Sequence, residues 1–379
     1  MVKIFYQKIG EGQYLTHLPT DLTQEIEINS VRAKRPNGGV KPHEKNKISL
    51  LKRLSSKRKC PFCPGVEYSQ LPEVVRGIYD VNRYIIFETE KDLAKLEEPW
   101  RMRAIPNMYG NKFLIPDEED LRMTQNPSYI RKLMHKYQKE NLNMSLSELF
   151  DYSWLVLICT SDHFNANNQI LDITDLGLEM FLANVDMVMV AHDLANIQND
   201  KLKFNTFYAN LGKNKAGQSQ DHLHFQIRSY DRVPGGIRKE IEMFEEIQTF
   251  SRMQGWTVYS DSDFEAFASP WAKYPKIVVT PREPTSYKLF DLDEDYKEKF
   301  LSIVYDCVCS VWNMGYELNF GLHQSPRRIN SWNQVPLHFN INVRDRIPGG
   351  TDENYHWMPQ IDPETLAKRV KAGMKNPSP

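Results

Sequence analysis

The chain runs through one series of elements twice, and this duplication limits its fold more than any single motif does. In the first pass, strand-like RYIIFET and WRMRAIPN precede a charged, irregular insertion over about 115–150, followed by strand WLVLICTSDH and a helix predicted over 176–197. Leu176, Met180, Val185, Met189 and Ala191 fall on or near one stripe of that helix, where methionines serve as core filling. A strand, loop and strand then occupy 204–228. After residue 230 the pattern restarts with YSDSDFEAFAS, KYPKIVVTPREP, a helix over 293–314, ELNFGLHQS and VPLHFNINVRD.

The most reactive stretch is FNTFYANLGKNKAGQSQDHLHFQIR at 204–228. HLHFQI alternates with a period of two, which puts His222, His224 and Gln226 on one strand face and turns Leu223 and Phe225 into a core. Same-face neighbours lie about 7 Å apart, so the two histidines are free to do separate jobs. An imidazole beside an amide, under a loop offering backbone N–H groups, suits phosphoryl chemistry. On its own, His-x-His-x-Gln also reads as an exposed polar strand face, or as two core histidines satisfied by hydrogen bonds. The second copy carries His338-x-Asn340-x-Asn342, an amide at the counterpart of His224, so only the first copy has a nucleophile there.

With 379 residues, 41% of them apolar, the chain can bury a sizeable core. Its formal net charge of −1 argues against a dedicated nucleic-acid binder, which needs a basic face. No apolar run approaches the roughly 18 residues of a membrane span, and the start, MVKIFYQKIGEGQ, lacks a signal-peptide core, so a cytoplasmic protein is expected. Five cysteines, among them the pair Cys60 and Cys63, fit a reducing compartment and a metal site. Cys60-Pro61-Phe62-Cys63 supplies half of a tetrahedral zinc shell; its remaining ligands must be histidines or carboxylates distant in sequence. Arg32 and Arg35, in a cationic cluster before NGGVKP, are able to fork onto a diphosphate or to form a solvated turn. The Lys-rich run from Lys41 to Lys59 lacks aromatics and reads as a solvated loop. His17, His43, His135 and His192 have no motif around them and receive no chemistry.

RAKRP, CPFC, WRMRAIPNMY and AGQSQDHLHFQ, in this order, resemble the galactose-1-phosphate uridylyltransferase family, the transferase branch of the histidine-triad superfamily, in which Gln stands where hydrolases carry a third His. The resemblance extends from RAKRP to about QIDPETLAKRVK. It implies an α+β fold of two histidine-triad-like repeats, with antiparallel sheets forming a half-barrel flanked by helices. Domains are expected at 1–230, with the zinc site and nucleophile, and at 231–379, a degenerate repeat. A structural zinc would be held by Cys60, Cys63, His163 and His222. A second metal, zinc or iron(II), would involve Glu240, His323 and His338, with Asn340 where the family has a further His. A homodimer is expected.

The same resemblance implies a double displacement. His224 would attack the α-phosphorus of a nucleotide sugar, release the sugar 1-phosphate and pass a nucleoside monophosphate, UMP in the family, to a second sugar 1-phosphate. A strand carbonyl, that of Leu223, would orient its imidazole. Gln226, Ser219 and Asn210 would donate to the α-phosphate, Gly217 lies in the substrate loop, and Arg32 and Arg35 would offset the pyrophosphate charge. Thr89-Glu90-Lys91 replaces the family's base-reading element, and Gly350-Thr351-Asp352 its sugar-holding one, which leaves base and sugar open; Asp352 is the sugar-binding candidate. A phosphorylase of nucleotide sugars or dinucleoside polyphosphates, with inorganic phosphate as acceptor, is the near alternative. An inactive nucleotide-binding module is the third.

Overall fold

A computed structural model of the chain describes residues 5–10, 13–18, 21–29, 49, 55–57, 60–65, 73–79, 85–89, 100–107, 152–282, 288–326, 336–345, 356–357 and 359–375. In chain order the strands and helices are β1 (Phe5–Gly10), β2 (Gln13–Leu18), β3 (Asp21–Asn29), β4 (Val75–Tyr79), β5 (Ile85–Thr89), β6 (Met102–Pro106), β7 (Trp154–Ile158), α1 (Ile173–Leu176), α2 (Leu178–Gln198), β8 (Phe204–Leu211) and β9 (His224–Tyr230). They continue with α3 (Gly235–Met253), β10 (Thr257–Ser260), β11 (Phe264–Ser269), β12 (Lys276–Pro281), α4 (Glu294–Asn313), β13 (Leu318–His323), β14 (His338–Val343), β15 (His356–Trp357) and α5 (Pro363–Gly373). This is an α+β protein built on antiparallel sheets. Among the described residues no helix is long and apolar enough to cross a membrane.

Two compact units emerge from the fold. One comprises residues 45–208 and 220–232; the other comprises 1–44, 209–219 and 233–379. In the first, strands run in the order β8-β9-β7-β6-β4-β5. β9 lies antiparallel to β7, with Ile158 opposite His224 and Val156 opposite Gln226. The helix before β8 is interrupted: Gly177, at φ +79°, ends α1 and starts α2, a conformation that glycine adopts without the clash of a Cβ. The buried residues of α2 are Phe181, Asn184, Val185, Met187, Val188, Ala191, His192, Ala195 and Asn196, a face built mostly of three- and four-residue steps. Met180 and Met189, expected on that stripe, are only half-buried, because the core face is rotated toward Phe181, whose ring meets Phe225 of β9 edge-on at 6.3 Å. His192 is buried and its Nε2 lies 2.9 Å from the Thr206 carbonyl, a structural contact.

In the second unit the order is β10-β11-β12-β14-β13, and a separate sheet runs β1-β2-β3-β15 with β15 parallel to β3. All six residues of β11 and of β12 are buried, as strands covered on both faces require. α4 begins where the sequence predicts, because the Asp293 carboxylate accepts from the Tyr296 N–H and caps the first turn. Phe300 of α4 stacks on Phe264 at 5.3 Å and reaches Phe339 at 5.7 Å, fixing the helix to the sheet. α3 and β1–β3 form a further layer that the sequence reading did not anticipate. Tyr6 meets Trp256 edge-on at 4.9 Å and Phe250 at 6.3 Å.

Candidate metal and nucleophile site

Four residues far apart in sequence converge in the first unit: Cys60, Cys63, His163 and His222 are all buried, with ligand atoms within 4.8 Å of one another. The Cys turn follows a helical turn at 55–57 and packs Phe62 and both cysteines against Trp100, Ile105, Val156 and Ile158. His163 sits beyond the end of β7, and His222 just before β9. The sequence reading starts that strand at His222. In the structure it starts at His224, and the Leu223 carbonyl continues the ladder by accepting from the Cys159 N–H at 3.1 Å.

The spacing fits a tetrahedral ion. Zinc-like bonds of about 2.3 Å to sulfur and about 2.0 Å to nitrogen, meeting at tetrahedral angles, put S and N ligands about 3.5 Å apart. The observed Sγ–Nδ1 distances are 3.7 Å for Cys60–His222, 3.1 Å for Cys63–His163 and 3.6 Å for Cys63–His222. His222 Nε2 lies 2.7 Å from the Thr160 carbonyl; as the donor there, it leaves the Nδ1 lone pair for the ion. Without an ion the two thiols share one charge: the hydrogen bond from Cys63 pulls Cys60 down, while the same bond to Cys60 and burial push Cys63 up, so a cation is needed before both can be thiolates. Four such donors would close the shell of a tetrahedral ion and leave it no position for water.

His224 is set by the same segment. Its Nδ1 lies 2.8 Å from the His222 carbonyl, which fixes the tautomer with Nδ1–H donating and Nε2 carrying the lone pair. The expected orienting carbonyl was that of Leu223; it is already committed to Cys159, so His222 serves instead. Burial is the main cause of a lowered His224 pKa, and it favours a neutral imidazole. Phe62 meets the His224 ring at 5.2 Å and the His222 ring at 6.3 Å, both edge-on, so the Cys turn buttresses the histidine pair.

Gln226 is half-buried, and its Oε1 accepts from Trp154 Nε1 at 2.8 Å and from Asn107 Nδ2 at 3.2 Å. With the oxygen end held, the amide N–H₂ is the end turned to donate. Neither Trp154 nor Asn107 carries a role in the sequence reading. Asn107 lies within WRMRAIPNMY, and Trp154 opens β7, yet only the antiparallel register brings them to Gln226.

Asn210, Gly217 and Ser219 belong to the second unit and are described with it below. Arg32, Arg35 and Asp352 lie outside the described residues, as does most of the Lys-rich run.

Glu240, His323 and His338 do come together, with ligand atoms within 4.8 Å. Their contacts differ from the first cluster. His323 Nδ1 is 2.6 Å from Glu240 Oε2, a direct hydrogen bond and shorter than the edge of about 3.3 Å that O and N ligands of a tetrahedral ion would span. Lys276 Nζ at 2.8 Å and Asn340 Nδ2 at 2.9 Å donate to Glu240 Oε1. Burial would raise the Glu240 carboxyl, but Lys276 and then His323 hold it well below its usual value. His338 is held through Nδ1, 2.7 Å from the Pro336 carbonyl, and its Nε2 faces Glu240 Oε2 at the longer distance of 3.5 Å. Lys276 thus supplies the positive charge that a second ion would bring, and this cluster fits an ion less well than the first.

Among the described residues, a buried Cys2His2 cluster and an imidazole presenting one lone pair thus sit side by side on an α+β scaffold of antiparallel sheets. No protein-family model matches the chain. No curated protein sequence matches it either. Solved structures do. An ADP-glucose phosphorylase from Arabidopsis thaliana, solved with bound ADP-glucose, is 17% identical, over 97% of this chain and 99% of its own, with a TM-score of 0.59. A uridylyltransferase structure is 20% identical over 90% of this chain and 97% of its own, with a TM-score of 0.55. A galt-like protein from Arabidopsis thaliana is 18% identical over 84% of this chain and 93% of its own, also at 0.55. At these identities the likeness shows a shared fold, that of the uridylyltransferase and ADP-glucose phosphorylase structures.

Proposed function

We propose that the chain is a nucleotidyltransferase in which His224 attacks the α-phosphorus of a nucleotide sugar, releases the sugar 1-phosphate, and hands the bound nucleoside monophosphate to a second acceptor. The observation that carries this is the pairing of His224, held through Nδ1 so that Nε2 bears the lone pair, with Gln226, held through Oε1 so that its amide donates. In-line attack by Nε2 breaks the P–O bond to the leaving phosphate and forms a P–N bond; the second step reverses this with the new acceptor. Gln226 is the donor to an α-phosphate oxygen whose charge grows in the transition state. The main reading has UMP as the transferred group and a sugar 1-phosphate as acceptor. The second reading, inorganic phosphate as acceptor, is supported by the near-complete overlap with the ADP-glucose phosphorylase fold.

Single-turnover mixing with UDP-, ADP- and GDP-sugars, read by intact-protein mass, names the donor; turnover with a sugar 1-phosphate against phosphate names the acceptor. Absence of turnover with either acceptor, after binding is demonstrated, would sink the transferase reading in favour of an inactive nucleotide-binding module. Zinc is the metal we assign to Cys60, Cys63, His163 and His222, on the chemistry of two thiolates and two imidazoles. It would hold the Cys turn against the histidine pair. Metal analysis of the purified chain is expected to return one zinc per chain; two would show that Glu240, His323 and His338 take an ion despite Lys276. The homodimer, the cytoplasmic location and the domain division at residue 230 are carried forward as parts of the same reading, to be checked by sedimentation, fractionation and limited proteolysis.

Trp154→Phe removes one of the two donors that hold Gln226 Oε1. The single-turnover rate at saturating donor is expected to fall about tenfold, a typical loss when an oriented transition-state donor is freed, with the apparent donor affinity nearly unchanged. An unchanged rate would mean that Asn107 alone fixes the amide.

A further inference from the structure

The loop after β8 offers backbone N–H groups of the kind that cradle phosphate, but they are already occupied. The Glu317 carboxylate, just before β13, accepts from Asn214 N at 3.1 Å, from Asn214 Nδ2 at 3.1 Å, from Ala216 N at 2.9 Å and from Lys215 N. The loop is closed on itself around this anion: Gln218 N donates to the Gly212 carbonyl at 2.9 Å, and Gly212 N donates to Gln218 Oε1 at 2.8 Å. Gly212 must be glycine. Its φ is +111°, and a Cβ there would stand 2.2 Å from Glu317 Cγ.

Asn319, two residues on, completes the arrangement. Its Nδ2 donates to Asn210 Oδ1 at 2.7 Å and to the Ala216 carbonyl at 2.8 Å, while its Oδ1 accepts from the Arg344 guanidinium, which stacks on Tyr274 at 4.0 Å. With Oδ1 of Asn210 engaged, its amide N–H₂ is the donor end, the same device that orients Gln226. Gly217 (φ +82°) and Ser219 are exposed at the end of the closed loop.

We propose that Glu317 and Asn319 are positioning residues for the segment Asn210–Ser219. The carboxylate fills the loop's anion-binding nest, so substrate phosphate is met by side-chain donors, Asn210 and Ser219, and not by the N–H groups of residues 214–216. The clamp lies wholly within the second unit, to which Glu317, Asn319 and the loop 209–219 all belong. This rests on the transferase reading above for the role of Asn210 and Ser219, but the clamp itself does not.

The test uses the full chain with its metal, as wild type, Glu317→Ala, Glu317→Gln and Asn319→Ala. Amide exchange over 212–219 is expected to rise roughly tenfold or more in Glu317→Ala and less in Glu317→Gln, which keeps the shape and one acceptor oxygen. The single-turnover rate of nucleotidyl transfer to His224 at saturating donor should fall at least about tenfold in Glu317→Ala and Asn319→Ala, because a misplaced donor loses transition-state contact. Exchange that stays at the wild-type rate in both Glu317 variants would overturn the clamp. Faster exchange with an unchanged transfer rate would overturn the positioning role. If wild type itself forms no adduct, the transferase reading has failed, and the exchange measurement alone decides whether Glu317 holds the loop.

Discussion

His224→Ala is expected to abolish the nucleotidyl adduct and to lower turnover on the order of 10⁴-fold or more, the scale on which loss of a covalent nucleophile is felt. The reason is geometric: a second nucleophile would have to occupy the place where Nε2 is held by the Nδ1 contact to His222, and the neighbouring Phe62 ring has no such group. The substitution should leave metal content and melting temperature near the wild-type values, since the four metal-type ligands are other residues. A stereochemical readout separates covalent from direct transfer. Two in-line displacements at phosphorus each invert its configuration, so a donor made chiral at the α-phosphorus should give product with retained configuration. Inversion, or an adduct that persists in His224→Ala, would assign the chemistry to another route.

The parts of this site that were legible in the sequence are those written locally. CPFC gives two ligands in one turn, and His-x-His-x-Gln gives two imidazoles and an amide within five positions, their separate roles left open. His163 and His222 were found by resemblance, because nothing local marks a histidine that acts 100 or more residues from Cys63. The orienting contacts were not legible for a related reason. Trp154 and Asn107 reach Gln226 only through antiparallel pairing, and Glu317 reaches the 214–216 amides across about a hundred residues. A carboxylate at a strand start gives no sign in sequence of which N–H groups it will meet. The missed layer is instructive in another way. DLTQEIEIN in β3 alternates with period two, but the cationic RAKRP just after it is the stronger local signal, and no strand is assigned there from the sequence. α3 has its own helical spacing in Ile237, Phe244 and Ile247, all buried, after a Pro-Gly-Gly opening that reads as a loop.

Removing the metal is expected to unfold the first unit locally and to lower its melting temperature by on the order of 10 °C or more. Two thiols and two imidazoles are buried at this centre, and His163 Nε2 has no hydrogen-bond partner there. Without an ion their desolvation is uncompensated, while the Cys turn, whose Phe62 packs against both histidine rings, loses its anchor. Cys63→Ala should reproduce the effect of a strong chelator, because Cys63 Sγ is the atom nearest both His163 and His222. The closed ligand set adds a second expectation. Loading the centre with cobalt or cadmium in place of the zinc we assign should restore the melting temperature and change the rate of His224 modification by no more than about threefold, since an ion held by all four residues would have no site for water or substrate. A rate that tracks the Lewis acidity of the ion would show that the centre opens during turnover. A chelated protein with unchanged melting would remove the structural role altogether, and with it the argument that the Cys turn holds the nucleophile in place.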